Sequence, residues 1–226
     1  MQKKYIKMMP VTVSVPLIPL LSFSLGLSLL FWVAWPILSF KFAYAWGNEY
    51  VIDPVADYTT QTPQNIDFSD ASNWFPEKKA ATTESPVDTY TMSIPKLRIN
   101  KALVRIGTND LSKNLIHYGG TGIPGKPGNS VIFGHSVLEA FYNPNNYLTI
   151  FTLLPKLKKG DDIFISFDGV DYKYEVVGGR VTTPEDVSGL EQRYDDSYIT
   201  LVTCVPVGTY LERLWVTAKR TTFSEN

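Results

Sequence analysis

The sequence has very little of the two side chains that most often do chemistry, cysteine and histidine. Among its 226 residues there is one cysteine, Cys204, and there are two histidines, His117 and His135. A single thiol excludes an intrachain disulfide and a cysteine-rich metal site. Any reaction that needs an imidazole therefore has two candidates. A formal net charge of −1 provides no global basic field, so we predict no nucleic-acid partner.

Charge is absent from a long stretch near the N-terminus. No charged residue occurs in residues 11–40, and this stretch is longer than the roughly 20 apolar residues that cross a bilayer. We predict a transmembrane helix at residues 20–40, after a short lead-in at residues 1–19 that contains three prolines. The three lysines among the first seven residues predict that the N-terminus is cytoplasmic.

A cleaved signal peptide is the alternative to this anchor, since Ala43 and Ala45 form a small-x-small cleavage site. The apolar stretch exceeds the usual signal-peptide core of about 7–15 residues, which favours an uncleaved anchor. Both interpretations place the rest of the chain outside the cytoplasm. We therefore expect a single-pass protein of the cell membrane with an extracytoplasmic domain.

Residues 41–89 have the composition of a linker. Pro, Thr, Ser, Asp and Asn dominate, and no apolar period persists. Such a stretch cannot bury enough apolar surface to offset the entropy lost on ordering. We predict a flexible, extended linker here, in which single aromatic residues such as Trp74 could dock on the following domain.

Residues 90–226 carry the signals of a mostly β domain. Short apolar or alternating runs are separated by Gly, Pro, Asn and Asp, a pattern typical of β-strands and tight turns. One hairpin is predicted around Gly169. Helical patterns are short and weak, at residues 108–118, 147–161 and 183–192. Seven or eight strands with a few short helices predict a closed or nearly closed β-barrel.

Two predicted strands end in side chains that can work together chemically. Cys204 ends one strand and His135 ends another. Taken singly, each is more often structural, since a lone cysteine packs as a small hydrophobe. Together they are the minimal set for thiol acyl transfer, in which an imidazole takes the thiol proton and later protonates the leaving amine. An extracytoplasmic location favours this interpretation, because an idle thiol is easily oxidised there.

Arg213 is a third candidate for the same site. It follows Cys204 across a turn that contains Pro206 and Gly208, at the start of the next predicted strand. Antiparallel strands joined by such a loop place their side chains close together. A guanidinium there could stabilise the oxyanion that forms when a thiolate attacks a carbonyl. The alternative is an edge-strand arginine that opposes aggregation.

Three features of the domain carry a family resemblance. "TLVTC" at residues 200–204 is similar to a TLxTC signature, and "GNSVIFGHS" at residues 128–136 is similar to a strand that ends in a catalytic histidine. Arg213 lies where the same family has its arginine. In these features, over roughly residues 90–220, the chain resembles the sortases, the membrane-anchored cysteine transpeptidases of bacterial surfaces.

The resemblance implies a closed eight-stranded sortase-type β-barrel and a hydrolase-type thiol protease that acts as a transpeptidase. It implies Cys204 as the nucleophile, His135 as the general acid/base, and Arg213 as the residue that orients the substrate and stabilises the oxyanion. The implied reaction cleaves an LPxTG-like signal of a surface protein between Thr and Gly. The acyl group held as a thioester on Cys204 is then transferred to an amine of a peptidoglycan precursor or of a pilin, which releases the thiol. The loop after Cys204 is closer to classes D and E than to class A.

Several alternatives stay open at this point. His117 is the other candidate base, although it lies in a predicted helix-to-turn segment. Asp53 and Pro54 could belong to a lid. A membrane-tethered β-domain that binds wall polymer or a partner protein, with Cys204 buried, is the non-enzymatic alternative.

Acidic residues are dense before the strand that contains Cys204. They could bind an activating calcium ion, but such runs are usually solvated, so we predict no metal and no other cofactor. These residues are Glu185, Asp186, Glu191, Asp195 and Asp196.

Overall fold

The computed structural model describes residues 17–46, 50–52, 67, 69–74 and 82–222. A long helix, α1 (Leu17–Trp46), comes first. Its segment Ile18–Trp35 has a mean hydropathy of 1.8 and is 0% buried, so its length and composition suit a membrane span. The helix is longer than the predicted 20–40 at both ends. It can begin before Pro19 because this proline lies in the first turn, where a backbone N–H needs no helical partner.

The described residues after α1 are mainly β-strands. Along the chain these are β1 (Tyr50–Ile52), β2 (Thr89–Ile94), β3 (Ile99–Ile106), β4 (Leu115–His117), β5 (Gly128–Phe133), β6 (Asp162–Phe167), β7 (Val170–Thr182), β8 (Ser197–Val205) and β9 (Glu212–Thr221). Neighbouring strands follow the order β7-β6-β2-β3-β4-β5-β8-β9, and β9 pairs again with β7. Strands β2 to β9 therefore form a closed eight-stranded barrel, which confirms the predicted fold.

The turn between β6 and β7 is the hairpin that the sequence predicts. Phe167 pairs with Val170, which leaves Asp168 and Gly169 as a two-residue loop. Their φ angles are +50° and +75°, in the left-handed region that two-residue hairpin turns require. The local sequence is sufficient to specify this turn, because glycine adopts a positive φ without a steric cost.

None of the three predicted short helices forms an α-helix. Two of the segments contain a single 3₁₀ turn, and the third contains no helical turn of either kind. Residues 147–161 contain the turn Leu154–Lys156, and residues 183–192 contain Ser188–Leu190. The helical interpretation of residues 108–118 is wrong for its second half, which forms β4 between β3 and β5. All three residues of β4 are buried, so pairing and burial on both faces override a weak local helical preference.

Two apolar clusters lie on opposite faces of the barrel wall. The larger one fills the interior and contains residues from all eight barrel strands. The smaller one lies on the outer face of β4, β5, β8 and β9, because successive residues of a strand point to opposite faces. In β8, for example, Leu201 belongs to the interior cluster, whereas Val202 and Cys204 belong to the outer one. Cys204 therefore lies outside the barrel interior.

Part of the predicted linker adds a strand to the barrel. β1 pairs with β7 in parallel, with Tyr50 opposite Gly179 and Ile52 opposite Val181. Only three residues separate β1 from the end of α1. The chain therefore returns to the barrel soon after the apolar helix ends.

A second part of the predicted linker, residues 69–74, packs on the outer face of the barrel, and we call it the covering segment. The backbone N–H of Ala71 donates to the Asn109 carbonyl at 2.8 Å, and that of Leu111 donates to the Ser69 carbonyl at 2.9 Å. Ala71 and Trp74 are buried in the outer cluster. Asp53 and Pro54, the residues considered for a lid, lie outside the described residues.

Candidate active site

Cys204 and Arg213 face each other across two antiparallel strands. Cys204 is the next-to-last residue of β8, and it is the direct partner of Arg213 near the start of β9. Directly opposite residues of an antiparallel pair project to the same face, so the register brings the thiol and the guanidinium together. Each of the two side chains is only 1% exposed.

Hydrogen bonds to the backbone hold the guanidinium of Arg213 at the start of β9. Its Nη1 donates to the carbonyl of Tyr210 at 3.0 Å and to that of Glu212 at 3.2 Å. Tyr210 lies in the loop that links β8 to β9, and Glu212 is the first residue of β9. The charge of Arg213 is therefore placed beside Cys204 by the loop that joins the two strands.

His135 reaches the same face from β5. β5 runs parallel to β8 with Phe133 opposite Val202, so the residues two positions further along are His135 and Cys204. The Gly134 N–H donates to the Val202 carbonyl at 3.1 Å, which continues the pairing to the residue before His135. The parallel register thus brings the end of β5, just before His135, beside the end of β8 that carries Cys204.

Gly134 is the residue that lets the chain pass close to the core just before His135. A Cβ at this position would lie 2.5 Å from Cδ2 of Phe151 and 2.7 Å from Cδ2 of Leu115. Any side chain here would push the strand end away from the barrel. The glycine before His135 therefore allows the close approach that sets the path of the histidine.

Trp74 contacts both His135 and Arg213. The centroids of the indole and the imidazole are 5.9 Å apart in an edge-on arrangement, and the guanidinium carbon of Arg213 lies 5.4 Å from the indole centroid. The indole also stacks on Phe133 at 5.4 Å. Trp74 is 0% exposed, so the covering segment buries its indole against His135 and Arg213.

The sequence predicts that Trp74 could dock on the domain, but it does not predict the surface on which Trp74 docks. The available signal was a large apolar side chain in an otherwise polar segment, which indicates burial somewhere. Composition cannot tell which surface receives the side chain, because the partners Phe133, His135 and Arg213 are distant along the chain.

Burial moves the pKa values of the thiol and the imidazole toward their neutral forms. It raises the pKa of the Cys204 thiol, and the positive charge of Arg213 opposes this rise. It lowers the pKa of His135, and the carboxylate of Asp67 opposes this fall. With the covering segment in place, a neutral thiol beside a neutral imidazole is favoured over a charged pair.

His135 also has an unsatisfied nitrogen. Its Nε2 is buried and has no hydrogen-bond partner among the residues that the structure describes. Buried polar atoms normally have partners, and an exception at a cleft is a candidate for chemistry. This nitrogen can accept a proton from a thiol or donate one to a leaving amine.

His117, the other candidate base, is held by two hydrogen bonds in the barrel wall. Its Nδ1 lies 2.8 Å from the Tyr90 hydroxyl and its Nε2 lies 3.1 Å from the Thr121 hydroxyl. The Thr121 hydroxyl already donates to the Tyr118 carbonyl at 2.6 Å, so it accepts from Nε2–H, and Tyr90 donates to Nδ1. Burial lowers the pKa of His117 to about 4.

Three of the five acidic residues considered for calcium form an ion pair or a hydrogen bond with another group. Asp195 pairs with Arg193 at 3.2 Å and Asp196 pairs with Lys219 at 3.0 Å. The Asp186 carboxylate accepts from the Ser188 N–H at 2.8 Å. Among the described residues, no three potential ligand side chains come together as a metal site would need. The expectation that no metal is required stays a prediction.

The chain is similar to known proteins over its barrel. The sortase-domain family model matches residues 92–221. The chain is 27% identical over 136 residues to sortase D of Bacillus subtilis, and 31% identical over 120 residues to sortase A of Bacillus anthracis. These matches cover 58% and 51% of this chain but only 63% and 51% of the two relatives. The solved structure of a Clostridium perfringens sortase D5 transpeptidase matches with a TM-score of 0.51 and 28% identity, covering 62% of this chain and 82% of that one.

Proposed function

The chain belongs to the sortase family, and we propose that it is a membrane-anchored cysteine transpeptidase. Its substrate is a surface protein with an LPxTG-like sorting signal, which it cleaves between Thr and Gly. Cys204 holds the protein as a thioester and transfers it to an amine of a peptidoglycan precursor or of a pilin. The observation that supports this most strongly is the strand register, which pairs Cys204 with Arg213 and brings the end of β5, two residues before His135, beside β8.

Each of the three residues has one role in the proposed reaction. The thiol of Cys204 gives its proton to Nε2 of His135 and attacks the Thr carbonyl carbon. Arg213 stabilises the negative oxygen of the tetrahedral intermediate. The C–N bond then breaks as His135 returns the proton to the Gly amine.

The second half of the reaction uses the same groups. The acceptor amine attacks the carbonyl carbon of the thioester and loses a proton to His135. The C–S bond breaks, and the sulfur of Cys204 regains its proton from His135. Water in place of the amine gives proteolysis.

Substrate access requires that the covering segment move. Cys204 is 1% exposed and His135 is 8% exposed, so an extended peptide cannot reach either of them while Trp74 is in place. The segment is held by a few backbone hydrogen bonds and one large side chain, and such attachments open more easily than the paired strands of a barrel.

We assign α1 the role of an uncleaved anchor with the N-terminus in the cytoplasm and the barrel outside. The support is the apolar segment Ile18–Trp35 together with the lysines that precede it. Membrane fractionation and the mass of the mature protein test this. A mature chain that begins after Ala45 would instead identify a cleaved signal peptide.

A peptide-library assay tests the transpeptidase directly. The full chain is incubated with LPxTG-type peptides, with and without an amine acceptor and with and without calcium. We expect cleavage between Thr and Gly, a transpeptidation product with the amine, and no requirement for calcium. Cys204→Ala should abolish both products while the variant keeps the thermal transition of the wild type. Full activity in that variant would exclude the mechanism.

One observation favours a second candidate function, a tethered β-domain that binds wall polymer or a partner protein. Cys204 is buried and the pKa of its thiol is raised, as for a structural cysteine. A thiol-reactive probe separates the two candidates. Labelling that disappears in His135→Ala or Arg213→Ala favours catalysis, whereas a thiol that stays inert in the folded protein favours the binding domain.

A further inference from the structure

Two buried hydrogen bonds cross between the strand ends that carry His135 and Cys204. The Ser136 hydroxyl donates to the Cys204 carbonyl at 2.6 Å, and the Thr203 hydroxyl donates to the Gly134 carbonyl at 2.8 Å. Ser136 directly follows His135, and Thr203 directly precedes Cys204. The acceptors are the carbonyls of Cys204 itself and of Gly134, the residue before His135. Each of the two candidate residues is therefore adjacent to a bond that reaches the other strand. We call this pair of bonds the cross-brace.

The cross-brace lies where backbone pairing between β5 and β8 stops. The last paired residues are Phe133 and Val202. One residue further, the Gly134 N–H still donates to β8, but the His135 carbonyl accepts from the Phe151 N–H at 2.9 Å. The chain has thus turned away from β8 at His135, and the two hydroxyls connect the strand ends beyond this point.

Both donors are buried, so water competes little with these bonds. Ser136 is 7% exposed and Thr203 is 0% exposed. At position 203 a valine would have the same shape and would avoid burying a hydroxyl. The threonine is therefore accounted for by its hydrogen bond and not by its packing.

We propose that Ser136 and Thr203 are positioning residues of the transpeptidase site, which set the distance and angle between the imidazole of His135 and the sulfur of Cys204. This inference rests on the proposed function of that site. Proton transfer requires the two atoms to come within hydrogen-bond reach. A displacement of about 1 Å at a reacting pair costs on the order of 100-fold in rate.

The experiment compares hydroxyl-deleting with hydroxyl-keeping variants in the full chain, using an LPxTG-type peptide and an amine acceptor. We expect Ser136→Ala and Thr203→Val each to lower kcat by about 10- to 100-fold and to leave KM within about threefold, since neither hydroxyl needs to touch the substrate. Ser136→Thr and Thr203→Ser retain a hydroxyl and should keep kcat within about threefold of the wild type.

Thr200→Val is the matched control. The Thr200 hydroxyl also joins β8 to β5, since it donates to Oδ1 of Asn129 at 2.8 Å, and Thr200 is 2% exposed. It lies in the same strand as Cys204 but away from the strand end. A merely structural role of the hydroxyls predicts equal losses of stability and no loss of kcat per folded molecule in all three deletion variants, which would overturn the proposal.

A second readout does not depend on turnover. The rate at which iodoacetamide alkylates Cys204 is measured against pH, and its midpoint reports how closely the imidazole and the thiol interact. We expect the midpoint to shift by about half a pH unit or more in Ser136→Ala and Thr203→Val and to stay unchanged in Thr200→Val. An unchanged midpoint in both variants contradicts the cross-brace, whereas a shifted midpoint in a chain that cleaves no peptide contradicts only the proposed function.

Discussion

The two histidines of this chain occupy two kinds of buried site. His117 belongs to the barrel wall with its imidazole between the hydroxyls of Tyr90 and Thr121. His135 lies on the outer face, edge-on to the indole of Trp74, and its buried Nε2 has no partner among the described residues. Burial lowers the pKa of both imidazoles.

Both imidazoles are buried, and they differ in whether their ring nitrogens have hydrogen-bond partners. A histidine whose two nitrogens are both engaged is fixed in one tautomer and contributes to stability. A histidine with an unsatisfied nitrogen beside a thiol and a guanidinium can exchange a proton. The four predictions below test this contrast, in order of decreasing expected effect.

Removing each imidazole in turn should have opposite consequences. We expect His135→Ala to lower kcat by about 10²- to 10⁴-fold, the usual contribution of a general acid/base, with little change in the melting temperature. His117→Ala should leave kcat per folded molecule within about threefold but destabilise the protein, because the buried Tyr90 hydroxyl loses the nitrogen that accepts its hydrogen bond. Steady-state kinetics and thermal melts of both variants check this. An inactive but stable His117→Ala would reverse the assignment.

The guanidinium on the outer face should not be replaceable by another cation. We expect Arg213→Lys to lose about 10²- to 10³-fold in kcat, comparable to the loss of one oxyanion donor, because an ammonium cannot reproduce the planar fork. The bonds to the Tyr210 and Glu212 carbonyls would also be lost. Lys219→Arg, a change of cation on the same strand away from the site, is the control. A retained kcat in Arg213→Lys would reduce Arg213 to a structural residue.

Shortening Trp74 should expose the outer site without affecting the interior one. We expect Trp74→Ala to increase the alkylation rate of Cys204 by about tenfold, since opening of a weakly attached segment limits access to the thiol. Trp74→Phe keeps most of the ring packing and should label at nearly the wild-type rate. Mass spectrometry of iodoacetamide-treated protein measures both rates. Equal labelling of Trp74→Ala and the wild type would mean that the segment does not limit access.

The interior histidine should make stability depend on pH. The pKa of His117 is about 4 in the folded protein against an ordinary value of 6.5, so between these values the unfolded state binds more protons. Stability should therefore decrease as pH falls from about 6.5 to about 4, by roughly 3 kcal/mol from this group. His135 contributes in the same direction, since its pKa is also lowered.

Urea unfolding at several pH values checks this dependence. The control is His117→Phe, which lacks the titrating group and should show a smaller decrease over the same range. An identical decrease in the variant and the wild type would assign the pH dependence to other residues.

The features that the sequence predicted best are local ones. The turn at Asp168 and Gly169 follows from the conformational freedom of glycine, and the pairing of Cys204 with Arg213 follows from two strands joined by a short loop. The weak helical pattern at residues 108–118 failed because β4 is stabilised by β3 and β5 on either side. Pairing with neighbours outweighs a marginal local preference in so short a segment.

The features that the sequence missed depend on residues far apart in the chain. The parallel pairing of β5 with β8 joins strand ends nearly 70 positions apart in the chain, and the bond from Ser136 to the Cys204 carbonyl spans 68. Trp74 docks on a face built by β5 and β9. No periodicity within a segment reports such contacts, because their stability arises only when both surfaces are present.

By itself, then, the amino-acid sequence determined the residue types available for chemistry, the strands that carry them, the apolar helix at the start, and the turn that joins Cys204 to Arg213. The sequence also favoured His135 over His117 as the partner of Cys204, but the tertiary structure alone decided the pairing that brings the ends of β5 and β8 together. It also decided that the site lies on the outer face of the barrel and that Trp74 covers it. The physical reason is register: the pairing of distant strands selects the face to which each side chain points, and a shift of one residue would exchange the two faces.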